Sequence, residues 1–156
     1  MKSPIKGVVI KKLAVHRDPR GWLAELFRED ELSKVNHPKM AYLSSTKVSA
    51  SRGPHEHKKQ SDLFYFLGTS TFRIYLWDNR KKSSSFKRKF KFECAKNKPA
   101  LVIIPPGVVH AYKNIGTSDG WVFNAPNRLF KGSHRTQPID EIRHEENPDS
   151  PFKLDD

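Results

Sequence analysis

Cysteine and long apolar runs are the two features that this 156-residue chain has least of. Its single cysteine, Cys94, excludes an internal disulfide bond and any zinc site built from several cysteines. A lone cysteine suits a reducing cytoplasm. The apolar run nearest the N-terminus covers residues 7–10, too few for a signal-peptide core or a membrane span. We therefore expect a soluble, cytoplasmic chain that begins here and has no membrane partner.

Acidic residues are scarce over most of the chain. The sequence has 29 Lys and Arg against 17 Asp and Glu, a net charge of +12. Seven of the acids lie in residues 139–156, so the preceding residues are more basic than the total indicates. Such an excess favours anionic partners: nucleic acid, acidic lipid headgroups or phosphorylated small molecules.

Apolar residues occur as short alternating or continuous runs, bounded by Gly, Pro, Asn and Ser. This pattern is typical of strands and not of helices. Residues 63–67 and 101–104 are dense enough for strands that are buried on both sides. Residues 29–35 are the exception, and we predict one helical turn there. The sequence thus predicts one all-β domain over residues 1–138, followed by an acidic C-terminal tail at residues 139–156.

The densest basic stretch, residues 80–98, has nine basic residues and one acid. Phe86, Phe90, Phe92 and Cys94 share one parity, and charged residues take the other. A strand here would bury its aromatic side chains and expose its charges, and lysines on such a strand discourage edge-to-edge association. Aromatic rings buried in a core cannot stack on bases. We therefore predict a solvated edge strand and no nucleic-acid partner.

Three of the seven histidines have a spacing that can bring their side chains together in a catalytic or metal-binding site. His55 and His57 are two residues apart, so on a strand both imidazoles point to the same face. Asp62 follows at the start of the next apolar run, and His110 follows the turn at residues 105–107. We expect these four side chains to converge. Four other histidines lie among charged or loop residues, and we expect them to be exposed: His16, His37, His134 and His144.

These segments resemble the two sequence motifs of the cupin superfamily of small β-barrels. The first motif is followed loosely, with an aspartate in the usual glutamate position, by Gly53, His55, His57, Asp62 and Gly68. The second motif, Pro-x-Gly-x-x-His-x-x-x-Asn, is matched fully by residues 105–114. The paired match is more specific than either half.

A closer resemblance extends over residues 18–130. Residues 18–27 are similar to the opening segment of dTDP-4-dehydrorhamnose 3,5-epimerases. Residues 52–55, 77–80 and 104–110 are similar to that family's Arg-Gly-Leu-His, Asp-x-Arg-x-x-Ser and Ile-Pro-x-Gly-x-x-His segments. The resemblance implies a cupin double-stranded β-helix (a jelly-roll barrel), a homodimer, a nucleotide-diphosphate sugar as substrate and no cofactor.

The resemblance also implies roles for individual residues. Epimerisation beside a keto group needs a base, a group that stabilises the enolate, and an acid on the opposite face. His55 corresponds to the family's base, and His57 and His110 would assist it. The guanidinium groups of Arg20 and Arg52 would hold the diphosphate. The implied substrate contacts are Arg20, Glu25, Arg52, Gln60 and Phe123.

Three positions differ from the family pattern. Asp62 stands where the family has the lysine that stabilises the enolate, and Phe123 stands where it has the tyrosine that acts as the acid. The family's base-orienting aspartate lies in a C-terminal extension that we expect this shorter chain to lack, which leaves Asp140 and Asp149 as candidates. The candidate replacement acids are Tyr112 and Tyr65.

Several functional hypotheses remain open. The leading one is an isomerase or epimerase that acts on a dTDP-type 4-keto-6-deoxy sugar by histidine-mediated proton transfer, in deoxysugar or polysaccharide biosynthesis. Residues 52–58 also resemble the Arg-Gly-x-His-Ala-His-Lys segment of dTDP-4-keto-6-deoxyglucose 3,4-ketoisomerases. A metal-dependent cupin enzyme is an alternative, with one divalent transition metal bound by His55, His57, Asp62 and His110. The last alternative is a cupin that binds a sugar nucleotide without catalysis.

Overall fold

The computed structural model describes residues 1–155, which form short β-strands joined by turns. The strands are β1 (Val9–Lys12), β2 (His16–Asp18), β3 (Gly21–Leu23), β4 (Tyr42–Thr46), β5 (Ser51–Glu56), β6 (Asp62–Phe66), β7 (Phe72–Asp78), β8 (Lys89–Cys94), β9 (Ala100–Ile104), β10 (Val108–Asn114), β11 (Gly120–Asn124) and β12 (Ile142–Arg143). The helical elements of this part of the chain are single 3-10 turns at Lys34–Asn36, Ser133–Arg135 and His144–Glu146. Within it, no helix has the length and apolarity that a membrane crossing requires.

Two five-stranded antiparallel sheets form the barrel. The first sheet has the order β1-β9-β6-β11-β4, and the second has the order β12-β5-β10-β7-β8. Strands that are distant in sequence are neighbours in both sheets, as expected for a double-stranded β-helix. The hairpin of β2 and β3 stands apart from the two sheets. The predicted all-β, cupin-type jelly roll is confirmed.

The main core lies between the two sheets. Phe64 and Phe66 of the first sheet meet Phe72 and Tyr112 of the second, with ring centroids 5.3–5.8 Å apart. Such aromatic pairs contribute about 0.5–1.5 kcal/mol each beyond the area that they bury. Phe64 also contacts the ring of His110, at 5.5 Å between centroids. The apolar core therefore borders directly on the predicted histidine cluster.

β6 and β9 are buried on both faces, as their dense apolar runs predict. Their outward side chains belong to a second cluster that includes Leu63, Tyr65, Leu101 and Ile103. This cluster is covered by Leu13 and by partly buried residues from the segment after the β2–β3 hairpin. The side chains of β6 that face inward, toward the second sheet, are those of alternate residues, beginning with Asp62.

The segment predicted as an acidic tail contributes to the barrel. Its strand β12 pairs with β5, with Arg143 opposite His55. Phe152 and Leu154 pack against the outer face of the second sheet, on a cluster that includes Tyr75 and Trp77. Residues 142–143 therefore add a strand to the edge of the sheet that carries His55.

Two local predictions have different outcomes. The helical turn predicted at residues 29–35 is confirmed in part: the backbone N–H of Leu32 donates to the carbonyl oxygen of Arg28, and a 3-10 turn follows at Lys34–Asn36. Side-chain contacts also hold this segment, including the ion pair of Arg28 with Asp30. The edge strand predicted within residues 80–98 is confirmed over β8, which lies at the edge of its sheet with Phe92 and Cys94 buried and its charged residues exposed. Phe86 lies outside the strand.

Candidate active site

Three histidines meet where β5 and β10 run side by side. His55 of β5 pairs in register with His110 of β10, and their ring centroids lie 4.4 Å apart. His57, just beyond the end of β5, places its ring 5.9 Å from that of His55 and 6.0 Å from that of His110. One ligand nitrogen from each ring lies within 4.8 Å of the other two. The three imidazoles thus converge as the motifs predict.

Gly53 allows the two histidine strands to approach this closely. Its φ is +80°, in the left-handed region that favours glycine. A Cβ at this position would lie 2.5 Å from the carbonyl oxygen of His110. Any side chain at residue 53 would therefore push β5 away from β10 and separate His55 from His110.

The carboxylate of Asp62 lies beside two of the imidazoles. Its Oδ2 is 3.1 Å from Nε2 of His57 and 3.4 Å from Nε2 of His110. Its Oδ1 accepts hydrogen bonds from the side-chain amides of Gln60, at 3.0 Å, and Asn124, at 2.9 Å. Asp62 is 1% exposed, so the fourth predicted member of the cluster is in place and buried.

Burial and neighbouring charges give the three imidazoles different protonation states. Burial opposes a charge on His57, but the hydrogen bond and charge of Asp62 prevail and raise its pKa to about 9. Burial and the neighbouring His110 lower the pKa of His55, and burial likewise lowers the pKa of His110. Burial opposes ionisation of Asp62, yet the hydrogen bond from His57 keeps its pKa below the usual range. These shifts favour a cationic His57 paired with Asp62 at neutral pH, and neutral His55 and His110.

A carboxylate from the C-terminal segment lies beside His55. Oε1 of Glu141 is 4.0 Å from Nδ1 of His55, and the Glu141 side chain is 17% exposed. The pairing of Arg143 with His55 across β12 and β5 places Glu141 there. Neither the motifs nor the charge pattern singles out Glu141, because nothing in the local sequence shows that residues 142–143 join this sheet.

The two aspartates proposed to orient the base have other positions. The Asp140 carboxylate accepts hydrogen bonds from three consecutive backbone N–H groups, those of residues 58–60. The Asp140 carbonyl oxygen accepts a hydrogen bond from Nδ1 of His57. Asp140 therefore holds the loop after β5 and fixes His57, whereas Asp149 is exposed.

Two of the four other histidines depart from their prediction. His37 is partly buried, and its Nε2 lies 3.0 Å from the carbonyl oxygen of Leu32. His144 is only 15% exposed in its side chain, and its Nε2 lies 3.1 Å from Oε1 of the buried Glu56. Its ring also contacts Phe152. The prediction of an exposed His144 is therefore wrong, because this residue attaches the C-terminal segment to β5.

A cavity of about 1240 Å³ opens beside the histidines. The predicted site residues that line it are Arg52, His55, His57, Gln60 and Tyr112. Its basic lining residues are Lys39, Arg52, Lys59, Arg128, Lys131 and Arg143. Arg52 is anchored through hydrogen bonds to Thr46 Oγ1 and to the carbonyl oxygen of Ser45. A concave site with this many cations suits an anionic ligand with several oxygen atoms.

Arg20 and Glu25 do not line this cavity. The Arg20 side chain is 90% exposed and pairs with Asp18 at the tip of the β2–β3 hairpin. Glu25 is 60% exposed and lies near Arg28. The site that the resemblance implies is therefore not assembled from these two residues within one chain.

Phe123 and Tyr65 face away from the cavity. On β11, the buried Val122 and Asn124 point inward, so the intervening Phe123 points outward. Its ring contacts that of Tyr65, 5.6 Å away, in the outer cluster. Strand alternation thus corrects both placements: Phe123 does not reach the proposed substrate, and Tyr65 is not positioned to act as an acid there.

His110 and Asp62 leave a pair of buried acceptor atoms facing each other. Nδ1 of His110 lies 3.0 Å from the carbonyl oxygen of Val108, so this nitrogen carries the hydrogen. Nε2 of His110 therefore presents a lone pair toward Oδ2 of Asp62. Apart from the contact of Oδ2 with His57, neither atom has a hydrogen-bond partner within residues 1–155. Two such acceptors attract a cation. Together with ring nitrogens of His55 and His57, these two atoms form a set of metal ligands that fits a divalent transition metal.

The fold and the histidine cluster define this chain as a cupin-type barrel protein with a buried polar site. Its residues 2–134 match the sequence profile of the dTDP-4-dehydrorhamnose 3,5-epimerase family, and the chain belongs to this family. Glu141 and the rest of the C-terminal segment lie beyond the matched region.

Individual proteins resemble this chain in sequence or in fold. The chain is 36% identical over 112 residues to the spore coat polysaccharide biosynthesis protein SpsL of Bacillus subtilis (strain 168). The aligned region covers 72% of this chain and 73% of SpsL. It shares its fold with a dTDP sugar isomerase from Desulfovibrio desulfuricans G20, with a TM-score of 0.80, 20% identity, and coverage of 96% and 92% of the two chains. It also shares the fold of ChmJ, a 3'-monoepimerase from Streptomyces bikiniensis seen in complex with dTDP-quinovose, with a TM-score of 0.77, 18% identity, and coverage of 90% and 71%.

Proposed function

We propose that this protein is an epimerase or isomerase of a dTDP-type 4-keto-6-deoxy sugar and works by histidine-mediated proton transfer. The observation that carries the proposal is the position of His55. Of the three clustered imidazoles, His57 lines the cavity but is protonated, and His110 is neutral but is not among the residues that line it. His55 is both neutral and at the cavity wall, which is what a general base requires.

The neighbours of His55 support this role. Glu141 lies near its Nδ1, so a hydrogen on Nδ1 would be directed to the carboxylate and Nε2 would be free to accept a proton. After proton transfer the imidazolium would be stabilised by the same carboxylate. The basic residues of the cavity suit a diphosphate, and membership of the epimerase family supports a nucleotide sugar as the substrate.

The proposal is tested by deuterium uptake from solvent. With dTDP-4-keto-6-deoxyglucose in D₂O, we expect deuterium at a carbon adjacent to the keto group, together with an isomeric product, detected by NMR. The matched control is dTDP-glucose, which offers the same nucleotide and diphosphate but no proton made acidic by a ketone. Stabilisation of the protein by the keto sugar against heat, with no exchange and no product, would show a binding protein without catalysis.

A metal-dependent form of the same chemistry is the second candidate. The facing acceptors of His110 and Asp62 favour it. A metal held by His55, His57, Asp62 and His110 would supply a Lewis acid that polarises the keto oxygen. Binding would displace the proton that His57 shares with Asp62, because a metal-bound imidazole nitrogen is deprotonated.

We expect the exchange reaction to survive treatment with a chelator. In the metal-free mechanism, His55 and its carboxylate need no Lewis acid, so the rate before and after exhaustive dialysis against EDTA should agree within about twofold. The measurement pairs this rate with metal content by elemental analysis. One equivalent of metal per chain in the untreated protein, with activity lost on dialysis and restored by that metal, would establish the metal-dependent mechanism instead.

We propose that the active form is a homodimer in which the β2–β3 hairpin reaches the partner's cavity. The hairpin exposes Trp22 and Leu23, at 51% and 62%, and carries Arg20 away from the cavity of its own chain. Large exposed apolar side chains next to an unengaged arginine are typical of protein interfaces. A two-fold dimer would give both cavities a hairpin, since each chain offers the same surface.

Mixed dimers test this arrangement. His55→Ala and Arg20→Ala homodimers should each be weakly active. Equal amounts of the two variants, unfolded and refolded together, should recover about a quarter of wild-type activity, since half the dimers are mixed and each mixed dimer has one intact site. Recovery no greater than the mean of the two separate variants would show that Arg20 does not act across the dimer.

A cytoplasmic location is part of the proposal. Cys94 is a free, buried thiol, and burial raises its pKa to about 12, which makes it unreactive. Free cysteines are typical of proteins in reducing compartments.

A further inference from the structure

Tyr42 lines the same cavity as His55 but belongs to the other sheet of the barrel. His55 lies on β5 of the second sheet, whereas Tyr42 begins β4, the edge strand of the first sheet. Both residues line the cavity. The proposed chemistry needs an acid on the face of the sugar opposite the base, and the tyrosine position of the family is taken here by Phe123, which points outward. The acid must therefore come from another residue.

The hydrogen bonds of Asn124 determine how the Tyr42 hydroxyl is oriented. Oδ1 of Asn124 accepts the backbone N–H of Leu63 at 3.1 Å, which identifies this atom as the oxygen of the amide. Nδ2 then donates one hydrogen to Asp62, at 2.9 Å, and the other to the hydroxyl oxygen of Tyr42, at 2.8 Å. The Tyr42 oxygen is therefore an acceptor in this contact, and its own hydrogen remains available to a ligand.

Tyr112, the tyrosine predicted as the acid, is engaged differently. Its ring packs in the main core at 4% exposure, and its hydroxyl lies 3.4 Å from Ser44 Oγ. Ser44 Oγ also lies 3.3 Å from the carbonyl oxygen of Val122, and donating its hydrogen there leaves Tyr112 to donate toward Ser44. In that arrangement the Tyr112 hydrogen is directed to Ser44, whereas the Tyr42 hydroxyl donates no hydrogen bond to a side chain or backbone group of residues 1–155.

The protonation state of Tyr42 suits an acid. Burial of its hydroxyl raises the pKa of Tyr42 to about 12, although the hydrogen bond from Asn124 acts in the opposite direction. The phenol is therefore neutral at physiological pH and carries a proton to give. Tyr42 is 46% exposed and lines the cavity, where a sugar would bind.

We propose that Tyr42 donates the proton to the face of the enolate opposite His55, and this assignment rests on the proposed function. In the first step His55 takes a proton from the carbon beside the ketone, and the C–H bonding electrons move to form the enolate. In the second step the enolate carbon forms a new C–H bond with the Tyr42 proton. The tyrosinate then regains a proton from solvent and the His55 imidazolium loses one, so the enzyme is restored.

Tyr42→Phe should separate the two half-reactions. The variant retains the base, so we expect deuterium to enter the substrate from D₂O with retention of configuration, while formation of the inverted product falls at least about 100-fold. His55→Ala should lose both exchange and inversion. Tyr75→Phe is the matched control, because it removes a hydroxyl that is buried in the outer cluster beside Trp77, away from the cavity, and should leave both reactions unchanged.

The other possible outcomes of these experiments would overturn either the assignment of Tyr42 or the proposed function. Wild-type rates of inversion in Tyr42→Phe would overturn the assignment, as would separation of the half-reactions by Tyr112→Phe instead. Loss of exchange as well as inversion in a Tyr42→Phe protein that melts normally and still binds dTDP would also overturn it. A ketoisomer formed equally by wild type and Tyr42→Phe would reject the donor role but keep the proposed function. Absence of exchange in the wild type would reject the proposed function itself.

Discussion

His55→Ala should abolish deuterium exchange into a dTDP-4-keto-6-deoxy sugar, with the rate falling by about 10²–10⁴-fold, the contribution typical of a general base. The expectation is strong because the other two imidazoles cannot substitute. His57 is held as a cation by Asp62, and Nε2 of His110 faces the same carboxylate. Exchange is measured by NMR or mass spectrometry under single-turnover conditions.

The control for His55 is His134→Ala, which removes an exposed imidazole that does not line the cavity. It should exchange at the wild-type rate. Binding of dTDP to His55→Ala, followed by calorimetry, should remain close to that of the wild type, because the nucleotide contacts lie elsewhere. Near-normal exchange by a folded His55→Ala protein would show that another group is the base.

Glu141→Gln should lower kcat by about 10–100-fold without raising KM, because a neutral amide no longer favours the tautomer and orientation of His55 that proton transfer needs. Glu141 is a positioning residue, 4.0 Å from Nδ1 of His55. Its replacement removes a negative charge from a cavity proposed to bind an anion, so KM should stay the same or fall. Steady-state kinetics of the purified variant measure both constants.

The matched control is Glu146→Gln. Glu146 also pairs with Arg143, as Glu141 does, but it does not line the cavity. Its kinetics should be unchanged. Glu141→Asp should retain more activity than Glu141→Gln, because it keeps the charge. Equal losses in kcat for Glu141→Gln and Glu146→Gln would mean that the ion pair with Arg143 matters and that Glu141 does not orient the base.

The sequence motifs predict the histidine cluster because they record strand geometry. The i, i+2 spacing of His55 and His57 and the turn before His110 have direct spatial meaning in antiparallel strands. The same period-two rule predicts the buried and exposed faces of β8. Where the local chain is regular, residue spacing therefore suffices to place both core and site residues.

The remaining site residues depend on contacts that spacing does not encode. Glu141 reaches His55 only because β12 joins the edge of a sheet whose other strands lie far away in sequence. Tyr42 matters because Asn124 lies opposite it on β11. Phe123 falls on the outward face of β11 although its distance from His110 matches the family pattern. In each case the pairing of distant strands decides which side chain enters the cavity.

The contacts that attach residues 139–155 to the barrel also set an order of assembly. On a ribosome, the strands that carry His55 and His110 are synthesised before β12, so the barrel has its base before it has the carboxylate beside that base. Proton transfer would then become efficient only after Asp140 has bound the loop at residues 58–60 and Phe152 has docked on Trp77. A nascent chain would thus hold an inactive site until its last strand has folded into place.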